Sequence, residues 1–379
     1  MNRTVYLDHA ATTPVRRAAA EALLAAVAEV GNPSSSHAPG RAARRRVEEA
    51  REAVAAAVGA EPLEVVFTSG GTEADNLAVV GSALAGGRRR GVVTSAVEHE
   101  AVLRSVTFLE SLGCPADIVG VDGKGRIDPD EVAAAVGADI GVVSIMAGNN
   151  ETGTLFPVRA IAEAVREASP SVLVHTDAVQ AFLTEDVTAE ATAADMISLA
   201  AHKFGGPKGV GLLLAPRRIE LEPVIHGGGQ ELGRRSGTHN VAAIVGMVAA
   251  MEATVRERQE VRHRIRRIRD MFEAALRTHV PDLQVNGDID HRLVQHSHIR
   301  IPGIEAETLL IRLDQAGVAA AAGSACQSGA LEVSHVLAAM GMSRVEAAGS
   351  LRFSFGWSTD AGDGEVAADR VAATVRELR

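Results

Sequence analysis

Short apolar runs rich in β-branched residues recur through the first half of the chain, at 64–68, 92–94, 142–145, 172–175 and 196–199, with glycine or polar residues on at least one side of each. Such runs predict strands buried on both faces. Between them, apolar positions fall at helical spacing over 72–85, 100–112, 129–136 and 158–168. Alternating strands and helices predict a mostly parallel sheet covered on both sides, with ligands at the carboxyl ends of its strands. The helical period then extends over 240–280. Alternation resumes with a strand near 295–301, a helix over 306–315, strands over 318–322 and 350–355, and a last helix. A large α/β domain followed by a smaller one accounts for this order. No apolar stretch reaches the roughly 18 to 20 residues of a membrane span. The first eight residues lack the apolar segment of a signal peptide, so the expected location is cytoplasmic.

Composition narrows the field. With 379 residues, 46% of them hydrophobic and 23% charged, the chain can bury a sizeable core and is not wholesale disordered. Its formal charge of 38 − 48 = −10 argues against a surface devoted to nucleic acid or anionic lipid. The arginine-dense stretch Arg256, Arg258, Arg262, Arg264, Arg266, Arg267 and Arg269 is interleaved with Glu257, Glu260 and Asp270, and reads as a solvated helix face. Two cysteines, Cys114 and Cys326, cannot form a disulfide framework. Cys114, between Gly113 and Pro115, reads as structural. Lysine is confined to Lys124, Lys203 and Lys208, so a lysine position carries information that an arginine position here does not. Aromatic residues are only 3% of the chain, so a planar ligand would stack on another ring, such as a histidine.

Three local features suggest chemistry. At Phe67-Thr68-Ser69-Gly70-Gly71-Thr72 a predicted strand ends, two glycines turn and a helix opens, which is a candidate phosphate cradle. It lacks the lysine of a Walker-type loop and the spacing of a dinucleotide fingerprint. Asp177 ends another apolar strand, where it is either a turn cap or a buried acid that needs a cationic partner. Lys203 and Lys208 follow the next strand, whereas Lys124 sits in an Asp-Gly-Lys-Gly turn. An anchor for phosphate, a carboxylate for a pyridinium nitrogen and an amine for a Schiff base are together what pyridoxal phosphate requires.

The chain resembles the cysteine desulfurases of the class V aminotransferase family, in the group with a long catalytic-cysteine loop. The resemblance rests on Tyr6-Leu7-Asp8-His9-Ala10-Ala11-Thr12-Thr13-Pro14, Gly31-Asn32-Pro33-Ser34-Ser35, Thr72-Glu73-Ala74-Asp75-Asn76 and Glu98-His99. It continues through Asn149-Asn150-Glu151-Thr152-Gly153, His202-Lys203, Arg235-Ser236-Gly237-Thr238, Gly323-Ser324-Ala325-Cys326 and Leu351-Arg352-Phe353-Ser354. It implies the pyridoxal-phosphate-dependent transferase fold of type I. A large domain with a mostly parallel seven-stranded sheet would span 15–255, and a smaller α/β domain would combine 1–14 with 256–379. By the same resemblance Lys203 is the Schiff-base lysine, Asp177 the partner of the pyridinium nitrogen, Gln180 a donor to the ring hydroxyl and His99 the imidazole stacked on the ring. Gly71, Thr72 and His202 would hold the phosphate, joined by Thr238 from the partner subunit of a homodimer with shared active sites. Arg352 would clamp the substrate carboxylate with Asn150, and Asn32 would also contact substrate. Cys326 would be the nucleophile that takes the sulfur, attacking as a thiolate.

The implied activity is conversion of L-cysteine to L-alanine with sulfur left as a persulfide on Cys326, then passed to an acceptor protein. Selenocysteine lyase or another class V β-eliminating enzyme is the alternative within the same chemistry, and a cofactor-binding regulator without turnover the alternative outside it. No metal, membrane or direct nucleic-acid contact is expected. The sequence departs from the family at Ala200, where many relatives carry a phosphate-binding serine, which predicts one phosphate hydrogen bond fewer. It ends at Arg379 without the extension by which some relatives dock an iron–sulfur scaffold. Iron–sulfur assembly, thiolation, thiamin or molybdenum cofactor synthesis and DNA phosphorothioation are all compatible destinations for the sulfur.

Overall fold

The computed structural model describes residues 3–323 and 333–379, and Cys326 lies outside the described residues. Among them the strands are β1 (Val5–Tyr6), β2 (Val65–Thr68), β3 (Gly91–Ser95), β4 (Ala116–Val119), β5 (Ile140–Ser144), β6 (Leu173–Asp177), β7 (Met196–Ala200) and β8 (Gly211–Leu214). These are followed by β9 (Gln284–Val285), β10 (His296–Arg300), β11 (Val318–Ala319) and β12 (Ser350–Ser354).

Seven strands form one sheet in the order β2-β8-β7-β6-β5-β3-β4. Strands β3 to β7 run parallel to one another, and β8 runs antiparallel to both β2 and β7, so β8 alone is reversed. This is the mostly parallel seven-stranded sheet of the expected fold. Strands β2, β3, β5, β7 and β8 are buried at every position, which is why their sequences are mostly apolar rather than alternating. Periodicity passed over β4 and β8. The first is an edge strand with Asp117 and Ile118 exposed, and the second is a glycine and three leucines without a β-branched residue.

The carboxyl ends of the parallel strands lie on one edge of the sheet, and the helix Gly71–Leu84 crosses the central strands from the end of β2. A 39-residue helix, Val241–His279, is capped by Asn240 accepting from the Ala243 N–H. Its first part packs on the helix Arg17–Val27, where Gly246 faces Ala19 and Leu23, and its second part carries Phe272 against Phe353 and Phe355. The division expected at 255 falls inside this one continuous helix. Four of its arginines are engaged within the protein, Arg262 with Glu185, Arg269 with Asp270, Arg264 with the Trp357 carbonyl, and Arg258 over the Phe182 ring, while Arg256, Arg266 and Arg267 are on the solvated face as expected.

The smaller sheet is antiparallel, in the order β12-β10-β9, and β1 pairs in parallel with β11. Along β12, Leu351 and Phe353 join the apolar core, and alternation turns Arg352 and Ser354 to the opposite face. On that face the Cβ of His296 fills the space that a side chain at Gly153 would need, 2.5 Å away, and Gly153 has φ +79°. Cys114 is buried among Leu109, Val142 and other apolar residues, where burial pushes its thiol pKa up. Among the described residues no helix is long and apolar enough to cross a membrane.

Candidate active site

Lys203 ends a single turn, Ala201–Lys203, that directly continues β7. Its Nζ donates to the carbonyls of Ala10 and, at 3.0 Å, Ala11. Gln180 Nε2 donates to the same Ala10 carbonyl at 2.9 Å. Asp177, the last residue of β6, accepts from the Val179 N–H at 2.9 Å and is 7% exposed. His99 caps the helix Glu100–Ser111, its Nδ1 accepting from the Ala101 N–H at 3.1 Å, which places the proton of the neutral ring on Nε2. These groups act on one another. Burial raises the Asp177 pKa, and His99, the Val179 N–H and Lys203 draw it back. Burial lowers the pKa of His99, with Asp177 opposing it.

Beside this group the helix Gly71–Leu84 begins. A Cβ on Gly71 would lie 2.9 Å from Val179 Cγ2 and 3.4 Å from Ala200 Cβ, so the chain comes close here only because residue 71 lacks a side chain. N–H groups of a first helical turn have no intrahelical acceptor and carry the positive end of the dipole. Thr72 is exposed in that turn. His202 faces Thr12 Oγ1 at 3.2 Å, and burial, then Lys203 and Lys208, lower its pKa to about 4, so its ring is neutral at pH 7. A tight glycine turn, free helix N–H groups, a strand-end carboxylate and a strand-end lysine fit pyridoxal phosphate.

Arg352 is 4% exposed. It pairs with Asp8 at 2.7 Å and donates to the Asn150 carbonyl at 3.0 Å. Its Nε and the side-chain oxygen of Asn150 are buried without a hydrogen-bond partner among the described residues. Unsatisfied buried polar atoms are rare, and two in contact residues suit a polar ligand. The stretch Asp8-His9-Ala10-Ala11 touches Arg352 at one end and Lys203 at the other.

The structure therefore brings Gly71, His99, Asn150, Asp177, Gln180, His202, Lys203 and Arg352 to one region, with Thr72 at its rim. Asn32 is exposed and its side chain is used locally, accepting from the Ser34 N–H at 2.9 Å. Thr238 is exposed on the segment 226–240, which is tied to the helix Gly71–Leu84 by Arg235–Glu73 at 2.8 Å. On either side of 324–332, Gly323 abuts the Glu151 carboxylate and Ser334 Oγ donates to it.

Sequence reasoning passed over Asp8, the Ala10 carbonyl and three buried carboxyl groups, Asp75, Glu98 and Glu151. Glu98 is 0% exposed, accepts from Ser95 Oγ and the Met146 N–H, and burial raises its pKa to about 8. Each of these residues stood inside a motif, but only their burial sets them apart from ordinary polar neighbours.

Comparison with known proteins gives the family. The family model Aminotransferase class-V matches residues 5–365. A cysteine desulfurase IscS from Dictyoglomus turgidum is 41% identical over 381 residues, covering 100% of this chain and 96% of the relative. An IscS-like cysteine desulfurase from Mycobacterium tuberculosis is 41% identical, covering 99% and 97%. Among solved structures, a NifS-like protein superposes with a TM-score of 0.92 at 33% identity, over 99% of this chain and 100% of that one. DndA from Streptomyces lividans gives 0.78 at 37% identity, over 91% and 97%. The strand-end lysine, the buried aspartate and the capping histidine thus stand in a chain that belongs to the class V aminotransferase family, among its cysteine desulfurases.

Proposed function

We propose that this chain converts L-cysteine to L-alanine with pyridoxal phosphate as cofactor, through the residues assembled above. When bound, the cofactor withdraws electrons from the substrate's α-carbon and nitrogen. Lys203 Nζ holds it and moves the α-proton. Asp177 keeps the ring nitrogen protonated, Gln180 donates to the ring hydroxyl, and His99 covers one face of the ring. Gly71, Thr72 and His202 hold the phosphate, with Thr238 supplied by the partner subunit. Arg352 binds the substrate carboxylate, with Asn150 and Asn32 assisting. The Cys326 thiolate attacks the substrate sulfur. An S–S bond forms, the Cβ–S bond breaks with its electron pair going to carbon, and a proton on that carbon completes alanine. The sulfur then passes from the Cys326 persulfide to an acceptor protein.

The observation that carries this reading is the convergence of Lys203 and Asp177, at the ends of the neighbouring β7 and β6, with His99, the helix cap that follows β3. A homodimer is supported by Leu24, Val27 and Val30, an exposed apolar strip along and just beyond the helix Arg17–Val27. A cytoplasmic setting suits a catalytic thiol that must stay reduced between turnovers. The engagement of Arg258, Arg262, Arg264 and Arg269 within the protein, and the acids interleaved with the exposed arginines, support the absence of direct nucleic-acid binding. The large domain is taken as 15–255 and the small one as 1–14 with 256–379.

The test separates the two cysteines. Cys326→Ser should bind cofactor, respond spectrally to L-cysteine, and lose both alanine release and persulfide formation. Cys114→Ser should keep both. Turnover by Cys326→Ser at the wild-type rate would replace the persulfide route with direct β-elimination.

A further inference from the structure

The middle of a doubly covered sheet should be its driest and most apolar part, yet here it carries a row of polar side chains. Thr94 on β3 donates to the Ser144 carbonyl on β5 at 2.8 Å. Ser144 Oγ lies 2.9 Å from His175 Nδ1 on β6, and His175 Nε2 lies 2.9 Å from Ser198 Oγ on β7. All four residues are 0% exposed. The row ends at Asp75, in the first turns of the helix Gly71–Leu84. Its side chain is buried beside the Ser198 hydroxyl, the residue being 1% exposed, and its Oδ1 stands 3.8 Å from His175 Nε2 without meeting hydrogen-bond geometry. Ser198 is in turn the register partner of Asp177.

The charged groups around the two aspartates differ. Asp177 is acted on by His99 and Lys203, both able to carry positive charge. Asp75 is acted on by Asp177 and Glu98, two further acids, and by the hydroxyl of Ser198. Two neighbouring carboxyl groups out of contact with water do not both ionise, and the one beside the cations keeps the charge.

We propose that Asp75 is a positioning residue for Asp177: it remains a neutral carboxylic acid joined to the Ser198–His175–Ser144 row, leaving Asp177 as the single negative charge offered to the ring nitrogen of the cofactor. This rests on the reading of Asp177 given above. Burial and then Asp177 raise the Asp75 pKa well above the usual carboxylate range, outweighing the Ser198 hydroxyl, which draws it down. Burial lowers that of His175 to about 3, so the imidazole is neutral, with one donor and one acceptor nitrogen. A proton on Asp75 sets the direction of the whole row. Asp75 donates to Ser198, Ser198 to His175 Nε2, and His175 Nδ1–H to Ser144 Oγ. Satisfied buried networks rigidify what they contact, and in the Ser144–His175–Ser198 stretch both ring nitrogens are paired on the strand that ends in Asp177.

The experiment compares purified holoenzyme with Asp75→Asn, Asp75→Ala and Asp177→Asn. It follows the pH titration of the bound cofactor's visible absorbance together with kcat and KM for alanine release. Asparagine has the shape and neutrality of the protonated acid, so Asp75→Asn should keep the titration midpoint within about 0.3 units and kcat within roughly twofold. Asp75→Ala breaks the row and should shift the absorbance maximum and lower kcat at least about tenfold, with KM changed less than roughly threefold. A midpoint lowered by about one unit or more in Asp75→Asn would mean that a negative charge had been removed, and would overturn the proposal. Wild-type absorbance and kcat in Asp75→Ala would overturn it as well. If Asp75→Ala does not fold, the Asp75→Asn titration decides alone. An Asp177→Asn enzyme with unchanged spectrum and kcat would instead refute the role of Asp177, whatever the Asp75 variants do.

Discussion

Replacing Glu231 by Gln should loosen the segment that carries Thr238, and the structure sets the size of the effect. Glu231 accepts from Arg51 at 2.7 and 3.0 Å, from the Phe67 N–H at 2.8 Å and from His239 Nε2 at 2.6 Å, with both ion-pair side chains at most 9% exposed. Burial alone would raise its pKa, but His239 and Arg51 overcome that and bring it from 4.5 to about 2. That depression, 4.5 − 2 = 2.5 pH units, corresponds to about 3 kcal/mol in favour of the folded state. Loss of one partner of a buried ion pair typically costs about 3 to 5 kcal/mol, which agrees. The same contacts hold Glu231 and Leu232 at φ +51° and +58°, a left-handed backbone costly for non-glycine residues. A folded-state pKa below the unfolded one contributes stability above pH 4.5 that is lost as pH falls toward 2. Glu231→Gln should therefore speed native-state exchange of the Phe67 amide roughly 100-fold at neutral pH, since each 1.36 kcal/mol is tenfold. The gap should narrow as pH falls below 4.5, where the unfolded carboxylate takes up its proton, and close near pH 2. Unchanged exchange at neutral pH, or a gap that persists undiminished into acid, would refute this account.

Two further outcomes bear on the cofactor. Borohydride treatment of the holoenzyme followed by peptide mapping should mark Lys203, because it alone among the lysines contacts the Asp8–Ala11 stretch and acts on Asp177; a label on Lys208 or Lys124 would sink the assignment. Ala200→Ser should improve cofactor retention during dialysis, because Ala200 Cβ already stands 3.4 Å from where a Gly71 side chain would begin, at the phosphate cradle. One added hydrogen bond to a charged group is worth about 1.5 to 3 kcal/mol, and unchanged or poorer retention would count against that placement.

The fold was legible wherever burial and sequence share a simple relation. Strands β2, β3, β5, β6 and β7 are covered on both faces and wrote themselves as apolar runs. Strand β4 has one face in solvent but too few residues to establish an alternation, and β8 substitutes leucine for β-branched residues, so neither left a periodic mark. The site was legible at Lys203 and Asp177 because a lysine is scarce in this chain and an acid is out of place at the end of an apolar strand. Asp8 illustrates what could not be read. Its meaning comes from the 2.7 Å contact with Arg352, 344 residues away, which follows from β1 pairing with β11 and Asp8 bridging to Ser354. Asp75 is harder still. In the sequence it is one polar residue near the start of a helix, where acids are common because of the dipole. Only the packing of that helix across β6 and β7 converts it from a solvated charge into a buried acid beside His175 and Ser198. The polar residues of the strands, Thr94, Ser144, His175 and Ser198, were each visible as interruptions of apolar runs. Their register, which no single run contains, is what makes them a connected row running across the inner strands β3, β5, β6 and β7 beside the carboxylate that ends β6.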